Sequence, residues 1–246
     1  MILHIPHAST NTLQYELQNR ERELLRMTDW FTDELYSCRE AIKIVFGVSR
    51  LICDVERFED DTQETMSRFG KGVCYTTDTE GTVLREVSDA SRQEIIADYY
   101  RPHHQGLSDA VDHELASMGR ALVVDCHSFP DVAYYFNSDF GKRRPDICIG
   151  TDAYHTPPEL VETVNEYFTS KGYVVQIDDP YAGTLLPLKH YGKNRDVHGI
   201  MIEINRKLYM DDDGTKSNYY EVLKQELGTL LESLKERYAP AVRSLS

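Results

Sequence analysis

Several features that would place a chain quickly are missing here. The five cysteines (Cys38, Cys53, Cys74, Cys126 and Cys148) are odd in number, scattered, and form no C-x-x-C pair. That pattern argues against a disulfide framework and a cysteine-built zinc site, and favours a reducing cytoplasm. No window approaches the roughly 20 apolar residues of a membrane span. Met1 leads directly into a short apolar stretch, so neither a membrane anchor nor a signal peptide is expected. Positive charge is scarce. With 27 Lys and Arg against 41 Asp and Glu, the formal net charge is −14, which disfavours nucleic acid or an anionic membrane as a partner. An acidic substrate would need a local cluster of arginine or lysine. Linkers, internal repeats and low-complexity segments are also absent.

What is present reads as a single α/β domain over residues 1–246, long enough to bury a sizeable core. Apolar runs at 1–5, 43–46, 49–55, 121–126, 147–150, 173–177 and 199–205 have the composition of strands. Helical patterning and caps place helices at 12–26, 29–39, 88–118 with a kink or restart at Pro102, about 156–171, and 217–238. Strands alternating with helices predict a mainly parallel sheet covered on both faces. Residues 58–85 have no periodicity but many aromatics and threonines, the composition of a packed loop near a site.

In such folds chemistry gathers at the carboxyl ends of strands. His7 follows the first strand; Asp54, Glu56 and Arg57 follow the third. The run LVVDCHS at 122–128 delivers Asp125 and His127 to one side and Cys126 to the other, by the two-residue period of a strand. Glu203 stands between Ile202 and Ile204; a carboxylate there needs a partner, such as Arg206, or a task. Taken alone, His127 reads first as a hydrogen-bonded turn residue, and Asp29 equally well as a carboxylate suited to a helix dipole. Taken together, two histidines with carboxylates from distant segments have the composition of a hydrolytic zinc site.

Nine segments carry a resemblance that covers nearly the whole chain. They are IPHAS (5–9), TDW (28–30), SRLICDVER (49–57), KGVCYTTDTEGTVLRE (71–86), YYRPHH (99–104), VDCHS (124–128), PDICIGT (145–151), KHYG (189–192) and HGIMIEINRKLYMDD (198–212). In their order they resemble the N-formylglutamate amidohydrolase family, which is similar in fold to the zinc carboxypeptidases and aspartoacylases. The resemblance implies a three-layer α/β/α sandwich around a mixed, mainly parallel sheet. It implies a Zn²⁺ cofactor held by His7, His127 and, from its place before Trp30, Asp29, with Asp33 and Glu56 as alternative third ligands. Glu203 resembles the general base, Arg50 the arginine that polarises the scissile carbonyl, and Arg57 the arginine that grips a substrate carboxylate, assisted by Lys189 or His190. Asp125 would orient a ligand histidine. The implied substrate is a small acidic N-acylated amino acid, N-formylglutamate first, hydrolysed to formate and glutamate. Another amide or peptide, or ligand binding without catalysis, are the alternatives. One position departs from the family pattern: Glu56 stands where asparagine is usual, beside Arg57 in the substrate site, and a carboxylate there would oppose an acidic substrate.

Overall fold

Burial alternates along the strands and decides how the sheet is covered. The computed structural model describes residues 1–238. Its strands are β1 (Ile2–Ile5), β2 (Ile42–Val45), β3 (Ala121–Phe129), β4 (Ile147–Gly150), β5 (Val175–Ile177) and β6 (Val197–Asn205). The helices are α1 (Arg20–Met27), α2 (Thr32–Leu35), α3 (Asp89–Ile95), α4 (Arg101–Met118), α5 (Pro158–Ser170) and α6 (Tyr220–Tyr238). The strands form one sheet in the order β2-β1-β3-β6-β4-β5. Every pairing is parallel except β4 with β6.

Leu122, Val124 and Cys126 of β3 and Ile200, Ile202 and Ile204 of β6 point to one face. There they pack with Leu35 and Tyr36, with Leu160, Val164 and Phe168 of α5, and with the leucines of α6. Each leucine taken out of water there contributes on the order of 1.5–3 kcal/mol. On the other face Ala121, Val123 and Val197 meet Leu107, Ala110 and Val111 of α4. The same alternation carries Asp125, His127 and Glu203 onto this second face, towards the carboxyl ends of the strands. Helices on both faces of a mixed sheet give the expected α/β/α sandwich.

Three expected elements differ. The helix expected at 12–26 forms only from Arg20, where Asn19 takes a left-handed turn (φ 52°). The helix expected at 29–39 shrinks to one turn because Phe31 adopts φ 62°. The strand expected at 49–55 is a series of turns. Its apolar residues Ile52, Cys53 and Val55 form a separate cluster with Val73, Cys74, Ile95 and Ile96 instead of joining the sheet. Residues 58–85 are packed, with Tyr75 and Leu84 joining Leu24, Met27 and Leu51 in a further cluster. Pro102 marks a restart: residues 96–100 form a wide π turn before α4 begins, as suits a residue with no N–H to donate.

Tyr36, fully buried, ties this frame together. Its Oη lies 3.0 Å from the His127 carbonyl oxygen and 2.6 Å from that of Ile202, joining the α2 segment to the two central strands. Tyr36→Phe should lower unfolding free energy by about 1–2 kcal/mol with an unchanged urea m-value, because buried acceptors lose their donor. Wild-type stability in that variant would contradict the role assigned to the hydroxyl.

Candidate active site

The site is assembled by backbone as much as by side chains. Pro6 ends β1 and sends His7 into the following turn. The His7 carbonyl accepts the backbone N–H of Asp29 at 3.0 Å. Phe31, two residues on, adopts the left-handed φ of 62°, a conformation costing about 1–3 kcal/mol for a residue with a side chain. The Phe31 ring sits edge-on to Tyr220, with centroids 5.8 Å apart, which helps hold the strained turn.

Asp29 faces two histidines. Its Oδ2 lies 3.1 Å from His127 Nδ1 and 3.7 Å from His7 Nδ1, while Oδ1 lies 3.3 Å from Arg206 Nη2. Both imidazoles therefore turn Nδ1 towards one carboxylate oxygen. Each rests its other nitrogen on another carboxylate: His7 Nε2 on Asp54 Oδ1 (2.9 Å), His127 Nε2 on Asp125 Oδ1 (3.1 Å). Glu56 reaches the same group, 3.0 Å from His127 Nε2 and 3.8 Å from His7 Nδ1.

Asp54 anchors the wall behind His7. Besides that histidine it accepts Arg50 Nη2 (2.8 Å), Tyr75 Oη (2.6 Å) and the Glu56 N–H (3.0 Å). Burial would raise its carboxyl pKa, but Arg50, His7 and Arg57 hold it well below the usual range. Asp29 is likewise held low against burial, by the hydrogen bond to His127 and the neighbouring His7. His127 is pushed up well above its ordinary value: burial lowers it, but Glu56 and Asp125 outweigh that.

Glu203 is the exception among these carboxylates. It stands beside His127 in the β3–β6 register, and its Oε2 is buried with no hydrogen-bond partner. Burial, reinforced by the negative charges of Asp29 and Glu56 and opposed by His127, raises its pKa to about 7. Arg206, its possible partner on sequence grounds, is bound instead to Asp29, Ser128 and the Arg26 carbonyl.

The donor set fits a divalent cation. His7 Nδ1 is buried without a hydrogen-bond partner and faces Asp29 and Glu56 at 3.7 and 3.8 Å. That is too far for hydrogen bonds but suits groups sharing an ion. Donor atoms of His7, Glu56 and His127 all lie within 4.8 Å of one another.

These groups open into a cavity of about 590 Å³ lined by His7, Arg50, Glu56, Arg57, His127 and Glu203, among others. Its far wall includes residues 180–185, which approach closely because Gly150 and Gly199 have no side chain. A Cβ on Gly150 would stand 2.4 Å from the Gly183 carbonyl oxygen, and one on Gly199 2.9 Å from Thr184. Not every expected residue is here. Lys189 and His190 line no part of this cavity; both are bound to Asp112 of α4, at 2.5 and 2.8 Å. Asp33 is exposed on the outer side of α2. Asp54, expected only as a member of the strand-end group, and Arg206, expected as a partner of Glu203, instead hold His7 and Asp29 in place.

The family model for N-formylglutamate amidohydrolase matches residues 1–210. The chain is 28% identical over 236 residues to an N-formylglutamate deformylase of Pseudomonas aeruginosa, covering 89% of this chain and 87% of that one. Its fold is similar to the crystal structure of N-formylglutamate amidohydrolase from Ralstonia eutropha JMP134, with TM-score 0.83, 24% identity and coverage of 96% and 93%. A gene product of Agrobacterium tumefaciens is more distant, with TM-score 0.63, 20% identity and coverage of 96% and 91%. The family match extends across every site segment described above, and the chain belongs to the N-formylglutamate amidohydrolase family, hydrolases of an amide C–N bond.

Proposed function

We propose that this protein is a single-domain, zinc-dependent amidohydrolase that cleaves N-formylglutamate to formate and glutamate. The family and the deformylase relative support the substrate. The observation that carries the reading is Glu203: a buried carboxyl with a free oxygen and a pKa near 7, beside two histidines that share a carboxylate. The five cysteines are buried and unpaired, which supports a cytoplasmic location. Among the described residues no helix is long and apolar enough to cross a membrane.

His7, Asp29 and His127 would hold the zinc, with Glu56 within reach of the same position. When bound, zinc supplies Lewis acidity and lowers the pKa of water towards about 7. Glu203 accepts the proton of the attacking water and returns it to the leaving nitrogen. A group with a pKa near the working pH can do both. Arg50 Nη1 makes no hydrogen bond and is held 3.9 Å from Asp29, so it is free to receive the charge developing on the scissile carbonyl oxygen. A placed donor of this kind contributes roughly 3–4 kcal/mol to catalysis. Arg57 makes no side-chain hydrogen bond, its buried Nε standing 3.6 Å from Asp54 Oδ2, and its planar fork suits the substrate carboxylate. Asp125 and Asp54 fix the two histidines from behind.

One observation favours a second reading of the substrate. Glu56 lines the cavity beside Arg57, and its charge opposes an acidic side chain, so an N-acyl amino acid without one would meet less repulsion. Formate or acetate release from a panel of N-formyl and N-acetyl amino acids separates the two. The primary reading requires N-formylglutamate to give the highest kcat/KM.

Glu203→Gln should retain zinc and lose at least 100-fold in kcat, the scale of a missing general base; normal turnover would remove Glu203 from the mechanism. The same variant has a stability consequence in metal-free protein. A raised pKa means that Glu203 contributes stability fully present below its ordinary value of 4.5 and lost as pH rises through about 7. Glu203→Gln, which stays neutral, should therefore exceed wild-type stability at pH 8 by at most about 3 kcal/mol. The difference should shrink as the pH falls. Equal melting temperatures at pH 8 would contradict the buried, strained state of the carboxylate.

A further inference from the structure

Behind the cavity, two histidines with no role in the proposed chemistry form a buried chain with Asp125. His4 lies in β1, fully buried and opposite Asp125 in the strand register. His103 comes from the start of α4, in the YYRPHH segment, and is 9% exposed. Their Nε2 atoms are 2.8 Å apart, and His4 Nδ1 lies 2.7 Å from Asp125 Oδ1. That same oxygen lies 3.1 Å from His127 Nε2, and Oδ2 accepts the Leu185 N–H at 2.8 Å. Phe46 closes the outer side, edge-on to His103 at 5.0 Å.

We infer that His103 and His4 are positioning residues: His103 donates to His4, His4 donates to Asp125, and the carboxylate so fixed holds His127 with Nδ1 turned to Asp29. The inference rests on the metal centre proposed above. Taken as a neutral imidazole, His4 has one N–H, which goes to the carboxylate 2.7 Å from its Nδ1. The single hydrogen between the two Nε2 atoms therefore belongs to His103. Burial keeps His103 neutral, with a pKa pushed down to about 2. Without the His4 hydrogen bond, Asp125 would be held only by Leu185 and His127 and could rotate, and with it the ring whose orientation sets the metal-facing nitrogen.

Donor atoms of His4, Asp125 and Glu56 also lie within 4.8 Å of one another. Both nitrogens of His4 are already engaged, which makes that group a support and not a second ion site. Asp125 also joins the support to the cavity wall, because Leu185 belongs to the segment passing over Gly199.

The test compares His103→Gln, which keeps a donor, with His103→Met, which is of similar length and has none. Zn²⁺ dissociation constants by chelator competition are measured together with kcat and KM. His103→Met should bind zinc about 10–100-fold more weakly and show reduced kcat at saturating zinc, with KM within about twofold; His103→Gln should stay within about threefold of wild type. Wild-type zinc affinity in the Met variant, or an equal loss in the Gln variant, overturns the inference. Should His103→Met fail to fold, ¹⁵N NMR of the wild-type imidazoles decides. Hydrogen on His103 Nε2 and His4 Nδ1 supports the chain, and the opposite placement refutes it. A wild-type protein that takes up no zinc would defeat the metal centre while leaving those tautomers to be read independently.

Discussion

Charge balance at the carboxyl edge of the sheet constrains everything around it. Asp29, Asp54, Glu56, Asp125 and Glu203 converge there and meet three guanidinium groups, those of Arg50, Arg57 and Arg206. Two negative charges remain for the histidines or a cation to offset, and burying them uncompensated would cost several kcal/mol each. The protein's own adjustments run in that direction: His127 is driven towards its protonated form and Glu203 towards neutrality. The divalent ion proposed between His7 and Asp29 would supply the missing charge and give the orphaned His7 Nδ1 a partner.

The fold contributes by dividing labour between the faces of one sheet. One face is apolar and packs α5 and α6, so side chains at alternate positions of β3 and β6 are free to be polar on the other. Cys126 and Ile202 belong to the first face; His127 and Glu203, one residue further on, belong to the second. A one-residue slip in either strand would exchange core and catalyst, and the Tyr36 hydroxyl bridges both strands at this level. The irregular 46–88 segment then supplies Arg50, Asp54, Glu56 and Arg57. Its position is set by its own apolar clusters.

Much of this was legible in the sequence, for physical reasons that can be named. Strands such as Ile147–Gly150 were readable because buried strands are continuous apolar runs between turn residues. Glu203 stood out because a carboxylate among isoleucines has few explanations. Phe31 and residues 49–55 misled because tertiary contacts overrode local pattern: a ring packed on Tyr220 in one case, an Asp54 drawn inward by His7, Arg50 and Tyr75 in the other. Lys189 and His190 looked suitable by charge, yet Asp112, some 77 positions away in sequence from Lys189, claims them. His4 and His103, 99 positions apart, have no sequence pattern that could pair them.

The central proposal is a divalent ion bound where both histidines present Nδ1 to Asp29. Anomalous diffraction at the zinc edge from crystals grown with zinc tests it most directly. The account predicts a single strong peak bounded by His7 Nδ1, His127 Nδ1 and Asp29 Oδ2, at bonding distances of about 2.0–2.2 Å. A peak centred instead on His4, Asp125 and Glu56, or no peak at all in zinc-saturated crystals, would contradict it.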